Sequence, residues 1–160
     1  MDKRYKHILV PLDGSPLAEL ALADAFSLAH LGQAEVTLLR VIFLIEEVIE
    51  AGTDHPVFLD QQWETQKALA LQYMNSLCKR RDCKDIVVHR AVELGRAAET
   101  IIDYANNHSI DLIVMATHGR SGLQRWVYGS VADKVLRGAD VPVLLVRAHV
   151  KQNLRADKHA

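Results

Sequence analysis

The sequence predicts an α/β domain built on a mostly parallel five-stranded sheet with helices on both faces. Three observations carry that expectation. Five short runs at His7–Leu12, Glu35–Ile42, Asp85–Val92, Asp111–Met115 and Pro142–Arg147 are rich in Val, Ile and Leu and are too evenly apolar for amphipathic helices. Between them lie Ser15–Leu31, about Gln61–Arg80, Arg96–Asn107 and Gly129–Gly138, where Ala, Leu and charges recur at helical spacing. Finally, 160 residues that are 49% hydrophobic and 24% charged suit one core rather than two. Strands apolar on both faces that alternate with helices call for a sheet covered on both sides, joined by right-handed crossovers.

Taken in order, the first strand runs into VPLDGSPLAELALADAF, where Ser15 reads as a helix N-cap and Pro16 as the first helical residue. The second strand is followed by Phe43–Asp60, long for such a connection, which reads as a flap. The third and fourth strands flank a short amphipathic helix. The fourth leads into a glycine-bearing segment and the last helix, and the fifth strand ends before the polar, aperiodic tail Ala148–Ala160. The whole chain, 1–160, reads as one domain with a core of about 6–147 and no internal repeat.

A net charge of −1 provides no basic stripe for nucleic acid or an anionic membrane. The absence of a signal-type apolar region and of any apolar run near ~18 residues gives a cytoplasmic expectation. Two cysteines, Cys78 and Cys83, make a poor disulfide framework, and with His89 they give only half a zinc site; ordinary thiols are expected. His30, His55, His89, His108, His149 and His159 lack helical i, i+4 pairing and read as surface residues.

Chemistry is expected at the carboxyl ends of the strands. Asp13 stands just past the first strand, where doubly wound sheets bind ligands at the topological switch point. Alone, it could equally be a turn residue that favours the helix dipole. A second signal comes from MATHGRSGLQRWVYGSVADKV (Met115–Val135): Gly119 follows the fourth strand, nine residues separate it from Gly129, and Ser130 opens the last helix. Glycines admit an anion close to the backbone, and a helix's first-turn amides point at it. Gly129, Ser130, Val131 and Ala132 then form a phosphate end. Arg120 and Arg125 are possible countercharges outside the main set. His118-Gly119-Arg120-Ser121-Gly122 is not a GxSxG elbow, since no residue separates Ser121 from Gly122. His118 reads as a structural or ligand-contacting loop residue.

The segments Val10–Ser15 and Met115–Gly122, with Gly129-Ser130 and the closing VPVLLVR, resemble the ATP-binding subgroup of the universal stress protein family, over roughly Lys6 to Arg147. The subgroup's glycine pattern, G-2x-G-9x-G followed by Ser or Thr, matches at Gly119, Gly129 and Ser130, while its first position is Ala116 here. The resemblance implies an open sheet of strand order 3-2-1-4-5, in the adenine nucleotide alpha hydrolase-like fold. It also implies ATP, with Mg2+, held by Pro11, Leu12 and Asp13 at the nucleoside, Val41 at adenine and Met115 and Ala116 beside the sugar. Gly119, Gly129, Ser130, Val131 and Ala132 would take the phosphates. It further implies a homodimer through the last strand, Val141–Arg147, whose middle carries no charge or proline to guard an edge. The implied role is a nucleotide-dependent regulator in the stress response. Two alternatives accompany it: a weak ATP-hydrolysing enzyme, and a dimeric interaction module that does not bind ATP. No catalytic base is identified, because Asp13 belongs to the nucleoside end of the pocket.

Overall fold

A computed structural model describes residues 4–43, 56–81, 83–118 and 129–148, with side chains from 60 onward in the second of these segments. The chain runs β1 (His7–Pro11), a 3-10 turn (Ala18–Leu20), α1 (Ala21–Gly32), β2 (Glu35–Ile42), α2 (Pro56–Arg80), β3 (Val88–Leu94), α3 (Ala97–Asn107), β4 (Leu112–Thr117), α4 (Ser130–Gly138) and β5 (Val143–Arg147). The five strands form one sheet in the order β3-β2-β1-β4-β5, and every pairing is parallel.

Strand alternation divides the core into two layers. Ile8, Val10, Val36, Leu38, Leu112 and Val114 pack with Leu22 and Phe26 of α1 and Met74 and Leu77 of α2. Leu9, Leu39 and Ile113 point the other way, against Ala98, Ile101 and Ala105 of α3 and Ala132 and Val135 of α4. Helices therefore cover both faces. Burial on both sides explains why the central strands read as unbroken apolar runs rather than alternating ones.

Several boundaries differ from the sequence reading. The Ser15 hydroxyl does accept the Ala18 amide at 3.2 Å, yet the turn it caps is 3-10, and the α-helix starts only at Ala21. Helix α2 reaches back to Pro56, so the last residues of the expected flap are helical; residues 44–55 of that flap lie outside the described residues, as do 149–160 of the tail. The third strand lies later than expected. Ile86 closes a turn onto the Cys83 carbonyl at 3.3 Å, and Glu93 and Leu94 continue the strand by pairing with Val41 and Ile42. The register with β2 prevails there over the charge that seemed to end the run.

Candidate functional site

The adjacency of β1 and β4 is the decisive feature. Helix α1, which follows β1, packs on one face of the sheet and α4, which follows β4, on the other, so the ends of these neighbouring strands mark the topological switch point, where sheets of this kind leave a crevice.

On the β1 side, Pro11 ends the strand opposite Leu39, and Leu12 donates its amide to the Leu39 carbonyl at 2.8 Å. The Leu12 side chain is core, 3% exposed, so what it presents to the crevice is backbone. The Asp13 Oδ1 accepts the Ser15 amide at 2.8 Å, closing a tight turn through Gly14, whose φ of +86° favours glycine. Partial burial would raise the Asp13 pKa, but hydrogen bonds from the Ser15 hydroxyl and amide and the nearby Arg40 charge outweigh it and hold the carboxyl below its ordinary value. Asp13 is an anion at neutral pH.

Arg40 was not anticipated from sequence. Its guanidinium donates to the Leu12 carbonyl at 3.3 Å and lies beneath Gly14, bringing a cation to the crevice next to Asp13. The available signal was a lone arginine inside TLLRVI, on the face that Leu38 buries, where a charge needs partners. Behind it, the Tyr73 hydroxyl donates to Glu19 Oε1 at 3.0 Å, and Glu19 Oε2 lies 3.7 Å from both Arg80 and Arg81. Burial, then the Glu19 hydrogen bond and charge, push the Tyr73 hydroxyl up to about 12, so it remains a donor tying α2 to the turn after β1.

On the β4 side, Met115 is buried in the α3/α4 layer while Ala116 faces α1/α2. Their side chains point to opposite faces of the sheet. Val41, near the end of β2, packs partly buried on the α3/α4 layer. Gly129 caps α4 with φ +84° and ψ 149°, and a Cβ placed there would meet no atom of the described residues within 4 Å. That conformation belongs to glycine. Ser130 is exposed, whereas Val131 and Ala132 turn their side chains to the core and leave their first-turn amides aimed along the helix axis. Gly119, Arg120, Ser121, Gly122 and Arg125 lie outside the described residues; His118 is exposed just past β4.

Cys78 and Cys83 are not joined in a disulfide and line an open groove of about 430 Å³ with Asn75, Lys79, Lys84 and Arg90, where α2 leads into β3 and far from the switch point. Among the described residues no helix is long and apolar enough to cross a membrane.

The architecture is a doubly wound α/β sheet that sets a glycine-capped helix N-terminus and an ionised aspartate past the ends of the two strands at its switch point. Residues 4–147 match the sequence profile of the universal stress protein family, and the chain belongs to that family. It is 30% identical over 148 residues to universal stress protein MJ0531 of Methanocaldococcus jannaschii, covering 92% of this chain and 85% of that one. It also matches Mycobacterium bovis universal stress protein Mb2028c at 33% identity, over 91% of this chain but 47% of that one, and so spans about half the length of that relative. Its fold is similar to that of the M. jannaschii protein MJ0577, with a TM-score of 0.74, 29% identity, and coverage of 92% of this chain and 99% of that one. Two more distant solved structures share the fold and were determined with nucleotides. One is a universal stress protein in complex with cAMP (TM-score 0.63, 19% identity, 90% and 98% coverage). The other is an Arabidopsis thaliana family protein with AMP bound (TM-score 0.62, 14% identity, 91% and 93% coverage).

Proposed function

We propose that this chain binds ATP with Mg2+ in the crevice between the β1 and β4 loops and acts in the cytoplasm as a nucleotide-dependent, homodimeric regulator of a stress response. The observation that carries the reading is that Asp13 follows β1 and the Gly129-capped N-terminus of α4 follows β4, two strands that lie side by side in the sheet. An aspartate anion suits the ribose hydroxyls, and the first-turn amides of α4 with the Ser130 hydroxyl suit phosphates. The AMP and cAMP complexes of distant family members share with ATP the adenine, ribose and α-phosphate that these two loops would grip. Heat extraction of the purified protein followed by chromatography tests the ligand: intact ATP supports the reading, while a preparation that yields no nucleotide and takes none up from MgATP contradicts it.

Asp13 should contribute as one charge-assisted hydrogen bond. Asp13→Ala is expected to weaken ATP binding by about 1.5–3 kcal/mol, read by titration calorimetry. Because Asp13 Oδ1 also holds the Ser15 amide, Asp13→Asn keeps the turn and isolates the charge. Wild-type affinity in both variants would remove Asp13 from the site.

The homodimer is proposed through β5. This strand is a sheet edge, and Leu144 on it is 38% exposed, while Val146 on the same face packs against the α1/α2 core. Antiparallel pairing of β5 with its own copy about a two-fold axis satisfies both edges and closes the assembly. Leu144→Lys should shift the sedimenting species from dimer to monomer without disturbing the core. A wild type that sediments as a monomer at high concentration would refute the pairing. The lone Leu144 substitution is the cleaner probe, since Val146→Lys also burdens the core.

A further inference from the structure

At the end of the sheet opposite Asp13, three side chains converge on the face that α3 and α4 cover. His7 opens β1, Glu35 opens β2 and His89 is the second residue of β3; the parallel register sets His7 against Glu35, and Thr37 against His89. The strand neighbours Leu9, Leu39 and Ala91 pack in the α3/α4 layer, and alternation places all three polar residues on that side. One ring nitrogen from each imidazole and one carboxylate oxygen lie within 4.8 Å of one another. His89 Nε2 is 2.7 Å from Glu35 Oε2, and the two imidazole centroids are 5.8 Å apart.

We propose that His7, Glu35 and His89 form a binding site for a borderline divalent transition metal, with Zn2+ the best match. Two imidazoles and one carboxylate are a donor set for such ions, whereas Mg2+ and Ca2+ favour all-oxygen sites. Bonds of about 2.0–2.2 Å place tetrahedral ligand atoms roughly 3.4 Å apart, so the cluster needs only side-chain adjustment to close around an ion. His89 and Glu35 are each about half exposed, with side-chain exposures of 50% and 51%, leaving the fourth position to water.

An ordinary surface ion pair would account for His89 with Glu35 but not for His7. The Thr37 hydroxyl, 1% exposed, holds His7 Nε2 at 2.7 Å, and a hydroxyl can donate or accept, so it orients the ring in either tautomer. Asp111 is occupied elsewhere, its two oxygens accepting the Lys6 and His7 amides at 2.7 and 3.2 Å. The ion would pin the beginnings of three strands together, a structural role at the far end of the sheet that stands independently of the nucleotide reading.

The test is titration of the full chain, stripped with chelator, with ZnCl2 against a chromophoric zinc indicator at neutral pH. A Cys78→Ser, Cys83→Ser background removes the competing thiols. One equivalent of Zn2+ should bind and raise the melting temperature. Glu35→Gln and His89→Gln, at exposed positions that leave the fold intact, should each weaken binding at least as much as loss of an outer-shell partner does, about 10–100-fold, and abolish the thermal shift. Absence of Zn2+ binding to the parent protein, or parental affinity in both variants, would overturn the proposal.

Discussion

Gly129→Val is expected to abolish ATP binding. Two effects combine at this position. A side chain there would project from the cap of α4 toward the place where the phosphates are proposed to sit, and among the described residues a Cβ meets no atom within 4 Å. The backbone at φ +84° and ψ 149° is also one that residues other than glycine adopt only at a cost of about 1–3 kcal/mol. The unliganded variant should therefore melt somewhat below wild type while remaining folded, because Gly129 lies outside the core. Gly129→Ala separates the effects: it carries the same backbone strain with far less bulk. Calorimetric titration should find no binding for the valine variant and weakened but measurable binding for alanine. Wild-type affinity in Gly129→Val would place the phosphates elsewhere.

MgATP is expected to stabilise the wild type strongly. With a micromolar dissociation constant and millimolar ligand, linkage adds about 4 kcal/mol to the folded state. For a domain of this size that corresponds to roughly 8–16 °C in melting temperature. The rise should be lost in Gly129→Val and reduced in Asp13→Ala, since both act on the ligand-bound state. A melting curve unmoved by millimolar MgATP would contradict nucleotide binding in this range.

The strand pattern was legible wherever burial on both faces left only Val, Leu and Ile. Strand β2 spans Glu35–Ile42 as the sequence predicts, and the order 3-2-1-4-5 follows the resemblance. Legibility failed where partners distant in sequence decide the outcome. Glu93 and Leu94 are strand because they lie in register with Val41 and Ile42 of β2, which no local window records. Arg40 reaches the Asp13 turn only because β2 lies beside β1. His89 looked scattered when judged by helical spacing, yet the register of three parallel strands gathers it with His7 around Glu35. The turn at Asp13 and the start of α4 at Gly129 and Ser130 were legible because glycine and capping residues mark turns and helix starts without tertiary information.

The most direct measurement of the central claim is a titration of isotopically labelled protein with MgATP, followed by backbone amide resonances. The account predicts that the largest shifts fall at Leu12, Asp13, Ala116 and the first turn of α4, from Gly129 to Ala132, while His7, Glu35 and His89 at the far end of the sheet remain still. Shifts that leave Asp13 and Gly129–Ala132 unmoved, or that gather at the beginnings of the strands, would contradict it.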